Sequence, residues 1–287
     1  RRFAHDLHPD YLSTRYARER GGAAAIGVQH HHAHVVSAMA EHGLAEPVIG
    51  LAYDGTGYGP DGTMWGGEVL LATPAHYERL ATFRPMRLPG GDRAIRQPWR
   101  LAVALLTDTY GEVWPADVRG LLGGVDEAEV LAVQRLLHTG LNTPLARGVG
   151  RYFDAFGALF LGRATAAFEG QVALEWNQAA GPAGPSWPFG VTEASGLLEV
   201  DLRPAVRAAV DAWRAGVEMS ALSATFHDTL AAATALVVSR VRARVGARPV
   251  LASGGCFQNA RLAEAIRSAL AGECEVRLQE GVPMGDG

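Results

Sequence analysis

Apolar residues return along this chain in two rhythms. Short apolar runs bounded by glycine, proline and acidic residues alternate with longer stretches whose apolar positions recur every three or four residues. Residues 10–20 have helical spacing. Residues 24–29 (AAIGVQ) read as a short buried strand, and His30 to His42 continue as a helix with Val35, Ala38, Met39 and Ala40 available for packing. VIGLAYD (48–54) is a second apolar strand that ends at an acidic residue, and DGTGYGPDGTMWGGE (54–68) is rich in turn formers. EVLLAT and ERLATFRPM follow as strands. Helix dominates from Arg93 to about Arg147, with breaks at Pro115 and Gly123-Gly124. Further helices are expected near Gly150 (GRYFDAFGALF) and Thr165 (TAAFEGQVALEW), then a loop at 181–190 and a strand at 197–202. A long helix is expected from about Ser220 to Val245. ARPVLASGGCFQNARLAEAIRSAL reads as strand, glycine turn and helix, and CEVRL (274–278) as a last strand. Strands alternating with helices predict an α/β fold.

Composition narrows the function classes. The 287 residues carry a formal net charge of −4, so no basic surface points to nucleic acid. No apolar run approaches the ~20 residues of a membrane span, and the N-terminus lacks an apolar signal core. Two cysteines, Cys256 and Cys274, are too few for a disulfide framework or a zinc ribbon, and the expected setting is the reducing cytoplasm. Lysine is absent, which excludes a Walker lysine and a Schiff-base lysine. A phosphate would have to be held by backbone N–H groups, helix ends, arginine or metal.

The chemistry concentrates in VQHHHAHVV (28–36), with four imidazoles in five residues. On a helix, His30 and His34 share a face at i, i+4 and form a bidentate seat for a divalent metal, while His31 and His32 point elsewhere. Two imidazoles need carboxylates to complete a site. Asp54 at a strand end and Asp286 in a turn after the last strand are the candidates. HExxH chemistry is disfavoured because position 31 is His. GYGPDG (57–62) matches G-x-G-x-x-G, but the strand-like TMWGGEVLL follows it rather than a helix, which speaks against a dinucleotide site. Glycines at 55, 57, 59, 62, 66 and 67 leave backbone N–H groups bare enough to approach an anion. In SGGCFQN (253–259), Gly254 and Gly255 remove the Cβ barrier to a phosphate or flat ring, and Asn259 offers an amide to a base or ribose. Cys256 reads as packing. Asp154 and Glu169, early in expected helices, with Gly170 alongside, are candidates for ribose hydroxyls.

Several stretches together resemble the C-terminal catalytic region of the HypF family, the carbamoyltransferases that mature nickel–iron hydrogenases. They are FAHDLHPDYLSTRYA, VQHHHAHVVSAMAEH, YDGTGYGPDGTMWGGE, LPGGDRAIRQPWRLAVA, GRYFDAFGAL, FEGQVALE and SGGCFQN. The resemblance implies an α/β, actin-like ATPase (ASKHA) fold of RNase-H-like lobes, the first incomplete. Residues 1–46 would be its remnant, and 47–287 the second lobe with a helical insertion at about 93–148. It implies a divalent metal (Fe, Zn or Mn) on His30, His34, Asp54 and Asp286. It implies ATP or carbamoyl-adenylate held by Gly66, Gly67, Asp154, Glu169, Gly170, Gly254, Gly255 and Asn259. The activity implied is transfer of a carbamoyl group, supplied by carbamoyl phosphate and ATP, to the C-terminal cysteine of a HypE-like partner, with no catalytic residue beyond the metal site. The thiocarboxamide so formed leads to the cyanide ligands of the hydrogenase iron. Relatives that carbamoylate oxygen or modify tRNA share the scaffold; a tRNA gel shift separates the latter. A kinase of the same class would release ADP rather than AMP. A fourth alternative, a non-enzymatic metal-binding or docking domain, would bind metal without ATP-dependent turnover. The chain reads as a fragment of a longer protein.

Overall fold

In the structure, a computed structural model that describes residues 2–286, β1 (Phe3–Asp6) and β2 (Ala25–Val28) pair in parallel with each other, joined through α1 (Leu12–Gly21). This two-stranded ribbon stands apart from the main sheet. With one partner each, its strands stay half covered, and Ile26 keeps 50% of its surface, so the expected burial of 24–29 is corrected. α2 (His30–Glu41) starts at once, because Gln29 caps it: its Oε1 accepts the His32 N–H at 2.8 Å.

β3 (Val48–Tyr58), β4 (Met64–Ala72) and β5 (Tyr77–Phe83) form an antiparallel meander. Val48 and Ala52 pack with Val35, Ala38 and Met39 of α2 on one face. Ile49, Leu51 and Tyr53 enter the larger core on the other, as the two-residue period of a strand buried on both faces requires. Gly50 lies where α2 comes closest; a Cβ there would meet Val35. The chain then leaves the sheet through β6 (Met86–Arg87), α3 (Asp92–Arg96), α4 (Trp99–Tyr110), a 3-10 turn at Val118–Leu122 and α5 (Glu127–Thr139). It returns as β7 (Leu145–Ala146), which pairs with β6 and β4; helix therefore stops well before Arg147.

α6 (Val149–Phe160) is buried at every position and packs against α4 and β3. α7 (Gln171–Gln178) begins after Gly170, not near Thr165, since Gly170 adopts φ +80° as its N-cap. β8 (Gly190–Ala194) and β9 (Leu197–Asp201) form a hairpin. α8 (Arg203–Arg214) had no counterpart among the expected elements, although its buried Ala205, Val206, Ala209 and Val210 follow helical spacing. α9 (Met219–Val245), β10 (Val250–Ser253), α10 (Ala260–Leu270) and β11 (Val276–Leu278) complete the chain. α9 has the length and composition of a membrane span, but 67% of its apolar stretch is buried within the fold, where it serves as a core helix. The main sheet runs β11-β10-β3-β4-β5-β9-β8, with β10 and β11 parallel to β3.

Candidate metal centre and adjoining cleft

The first turn of α2 sets the centre. His30 and His34 point the same way, their Nε2 atoms 3.2 Å apart. The other ring nitrogens fix which atom faces inward. His30 Nδ1 lies 3.0 Å from Asp6 Oδ2, which only accepts, so Nδ1 carries the proton and Nε2 turns to the cluster. His34 Nδ1 faces Ser253 Oγ at 3.5 Å. His31 and His32 turn away. His32 Nε2 donates to Thr73 O at 2.8 Å, tying α2 to the β4–β5 turn. His31 is fully buried and pushed down to about 3, first by burial and then by His30, so it stays neutral.

Asp54 does not end β3. The strand runs on to Tyr58, but its register with β4 slips between Tyr53 and Gly57, and Asp54 sits in that bulge. A bulge re-aims a side chain out of the regular pleat. Here it brings Asp54 Oδ2 to 3.2 Å from His34 Nε2 and 3.6 Å from His30 Nε2, while Oδ1 accepts the Gly55 N–H. Gly66 and Gly67 lie opposite. They do not line the neighbouring cleft: a Cβ on Gly66 would sit 2.8 Å from Asp54 O, and one on Gly67 would sit 2.5 Å from Arg147 O. Their glycine character accommodates the bulge and the close-packed start of α6. Their N–H groups are not bare either, for both donate to Glu68 Oε2, and Thr82 Oγ1 donates to Oε1.

Burial outweighs these three donors and raises Glu68 to about 7. The folded chain thus holds this proton more tightly than the unfolded chain, whose carboxyl titrates at the ordinary value near 4.5. The associated stability is full below that ordinary value and is lost as pH rises through about 7. The wild-type stability relative to Glu68→Gln is expected to fall between pH 5 and 8, as read from denaturant midpoints at several pH values. A flat difference would contradict it.

Asp286 arrives from the far end of the chain. Glu41, at the end of α2, accepts the N–H groups of Glu280 and Gly281 at 2.7 and 2.8 Å and that of Val282 at 3.2 Å. Gly254, at φ +106°, passes so close to Tyr53 that a Cβ would lie 2.3 Å from its carbonyl oxygen, and its N–H donates to Met284 O. These ties hold the last loop against α2 and place Asp286 Oδ1 at 3.3 Å from His34 and 3.5 Å from His30. Glu41→Gln weakens that clamp from outside the cluster. It is expected to reduce divalent-metal affinity about 10- to 100-fold, the range for outer partners of a metal site. Competition titration against a chelator measures it, and unchanged affinity would refute the clamp.

The four facing atoms lie within 4.8 Å of one another. Metal–ligand bonds near ~2.1 Å in a tetrahedron put ligand atoms about 3.4 Å apart. The separations of 3.2–3.6 Å given above match, and an imidazole–carboxylate donor set suits Fe(II), Zn(II) or Mn(II). Burial disfavours charge on His34, but its hydrogen bonds to Asp286 and Asp54 prevail and raise it to about 9. Burial likewise opposes protonation of His30, and Asp54, Asp286 and Asp6 overcome it. Asp54 is buried, which alone would raise it, yet the two imidazoles and the Gly55 N–H hold it well below the usual carboxylate range.

Asp54 is shared with a cleft of about 450 Å³, lined by Gly55, Gly150, Arg151, Phe168, Glu169, Gly170, Gly255, Cys256 and Asn259 among others. Of the expected nucleotide contacts, Glu169, Gly170, Gly255 and Asn259 line it, whereas Gly66, Gly67, Asp154 and Gly254 do not. Glu169 lies in the loop before α7 rather than within a helix. Asp154 is buried behind Arg151, and burial raises its pKa against the pull of that guanidinium. Gly255 opens a 3-10 turn, and Asn259 caps α10 by accepting the Leu262 N–H. Its Nδ2 donates to His227 Nε2 at 2.9 Å; His227 donates from Nδ1 to Ser223 O and is kept neutral, pushed down to about 4 by burial. Cys256 is half-buried at the cleft wall, and desolvation there pushes its thiol well up. Asp6, Glu41, Arg151 and His227 escaped the reading of the sequence; Asp6, Glu41 and His227 act through partners distant in the chain, and Arg151 is marked only by its place at the cleft.

This is an α/β protein of the class that gathers imidazole and carboxylate donors, from one helix and the ends of strands, beside a ligand-sized cleft. Residues 1–41 match the family described as HypF Kae1-like domain, and residues 50–287 match Carbamoyltransferase, Kae1-like Domain, second subdomain. Carbamoyltransferase HypF2 of Cupriavidus necator is 40% identical over 93% of this chain and 36% of its own length. A carbamoyltransferase HypF homolog of the same organism is 38% identical over 99% of this chain and 74% of its own. The crystal structure of full-length HypF in the phosphate- and nucleotide-bound form superposes with a TM-score of 0.91 at 35% identity, over 99% of this chain and 44% of that one. The chain belongs to the HypF carbamoyltransferase family, in its Kae1-like region, and spans about a third of HypF2.

Proposed function

We propose that this chain transfers a carbamoyl group from carbamoyl-adenylate to the C-terminal cysteine thiol of a HypE-like protein, in the synthesis of the cyanide ligands of nickel–iron hydrogenase. The observation that carries the proposal is the sharing of Asp54 between the four-donor cluster and the cleft. A group held in the cleft would lie beside whatever the cluster binds. His30, His34, Asp54 and Asp286 would hold the divalent metal, which when bound supplies positive charge against oxyanions of the reacting group. Glu169, Gly170, Gly255 and Asn259 would hold the nucleotide, and Gly66, Gly67, Asp154 and Gly254 would support that site from behind. The full-length HypF crystal structure is a phosphate- and nucleotide-bound form, which favours nucleotide use in this family. The partner brings the nucleophile: its thiolate attacks the carbamoyl carbon, the C–S bond forms, the C–O bond to AMP breaks, and AMP leaves. No lysine and no activated cysteine of this chain is needed, in keeping with its composition and the raised Cys256 thiol.

The reading extends to the architecture. An antiparallel β5-β4-β3 meander continued by parallel β10 and β11 supports assigning 47–287 to one RNase-H-like lobe of an actin-like ATPase fold, with the insertion at about 93–148. The separate β1-α1-β2 ribbon supports assigning 1–46 to the other lobe. A cytoplasmic location follows from the same reading. The test is to supply the chain, with and without the adenylate-forming region of a HypF relative, with carbamoyl phosphate, ATP and a HypE-like protein. The partner's terminal cysteine should gain the mass of one carbamoyl group, with AMP released. ADP release without modification of the partner would refute the proposal.

A further inference from the structure

Among the described residues, Arg151 is the one arginine that lines the cleft, and its surroundings leave it unfinished. It stands on the first turn of α6, where Gly148 and Gly150 let the helix start against the Asp54–Gly55 backbone: Cβ atoms there would lie 2.1 Å from Gly55 O and 2.9 Å from Gly55 Cα. Gly55 in turn leaves room for the guanidinium, since a Cβ on it would sit 2.5 Å from Nη2. The side chain is 4% exposed. A guanidinium so buried should use its five donors, and against a carboxylate it normally does so through two parallel hydrogen bonds. Asp154 does not accept that fork. Its Oδ2 lies 3.1 Å from Nη1 but out of line for a hydrogen bond, and among the described residues Nε, Nη1 and Asp154 Oδ2 all remain without hydrogen-bond partners. Glu169 Oε1 is 3.8 Å from Nη2, beyond hydrogen-bonding distance, and 65% exposed. Asp154 thus neutralises the cation without occupying its donors.

We infer that Arg151 binds the phosphate of the nucleotide in the cleft, with Asp154 acting as its counter-ion from behind. The inference rests on the nucleotide reading above. An anion entering from the cleft side meets a buried cation packed against Gly55, beside Asp54, which would place the phosphate between Arg151 and the four-donor cluster. The more apolar Phe168 and Leu174 of the same cleft are left for the base. The planar fork matters as well as the charge, because lysine carries a point charge that cannot bond two phosphate oxygens at once.

The test compares AMP with adenosine, two ligands that differ only in the phosphate, by calorimetric titration of the whole chain with Mn(II) present throughout. Arg151→Gln, and Arg151→Gln combined with Asp154→Asn so that no buried carboxylate is left unpaired, are expected to weaken AMP about 10- to 100-fold, the worth of a charge-assisted hydrogen bond. Adenosine affinity should stay within about 3-fold, less than a single ordinary hydrogen bond contributes. Arg151→Lys, which keeps Asp154 neutralised, should show an intermediate loss for AMP alone. A merely structural arginine would weaken both ligands together, and that result overturns the assignment. So does an AMP preference that survives in all three variants. Wild-type protein that binds neither ligand overturns the nucleotide reading itself, and the Arg151 assignment falls with it.

Discussion

His34→Ala is expected to remove divalent-metal binding while leaving the fold intact. His34 Nε2 stands 3.2 Å from Asp54, 3.3 Å from Asp286 and 3.2 Å from His30, so it touches every other member of the cluster. Deleting it removes a direct ligand and leaves two carboxylates facing each other without one of the imidazoles that hold them together. The loss should exceed the ~100-fold that an outer partner costs. Alanine suits a helix interior, so α2 itself is not weakened. His32→Ala is the control. It forfeits the bond to Thr73 O and the ring contact with Tyr77, and should cost about 1–3 kcal/mol of stability without touching metal affinity. Mn(II) or Zn(II) titration of the three proteins measures the effect, and His34→Ala binding as tightly as wild type would remove the cluster from the mechanism. The proton inventory gives an independent reading. With His34 raised to about 9, its ring is protonated at pH 7 and must release that proton when Nε2 takes a metal. Apparent affinity should therefore climb as pH rises towards 9 and fall as the solution is acidified, with net proton release on metal binding at pH 7 in calorimetry across buffers.

Phe226→Ala is expected to cost about 3–5 kcal/mol, the range for deleting a buried aromatic ring. Phe226 is 1% exposed in the middle of α9. Its ring lies 4.3 Å from that of Phe156, 4.9 Å from Phe153 and 6.3 Å from Trp176, so it joins α6, α7 and α9 in one aromatic cluster. The cavity left by alanine opens among three helices, none of which can move in without losing contacts elsewhere. Urea unfolding of wild type and variant supplies the number; a loss below 1 kcal/mol would show that the cluster collapses around the gap. The neighbouring His227 holds Asn259, so the damage should extend to the cleft, and AMP affinity should drop along with stability.

Much of this was legible from residues that are close in the chain. The i, i+4 spacing of His30 and His34 placed both rings on one face before any tertiary contact was considered. VIGLAYD was legible as a strand because a fully buried strand needs an unbroken apolar run. The segment after it was misread. Glycines 55 and 57 look like turns, yet β3 carries both on its way to Tyr58, because pairing with β4 overrides their weak strand preference, whereas Gly59 does open the turn into β4. The glycine roles were mixed for the same reason. A bare Cα can expose an N–H to a ligand or let two backbones touch, and only the neighbours decide. Gly255 and Gly170 border the cleft, while Gly66, Gly67 and Gly254 are close-packing points whose requirement comes from Asp54, Arg147 and Tyr53. α8 was missed although its pattern was present, masked by Pro204, which sits harmlessly in the first turn.

By itself the sequence determined the elements that depend on local period: the α/β alternation, the paired imidazoles on α2, and the exclusion of lysine chemistry. Tertiary structure alone decided which distant groups converge. The β3 bulge turned Asp54 towards the imidazoles, the Glu41 clamp delivered Asp286 from the other end of the chain, and the start of α6 seated Arg151 beside them. The reason is that periodicity records which way a side chain faces within its own element. The meeting of groups hundreds of residues apart depends on bulges, clamps and close backbone crossings, whose cause lies in the partner segment.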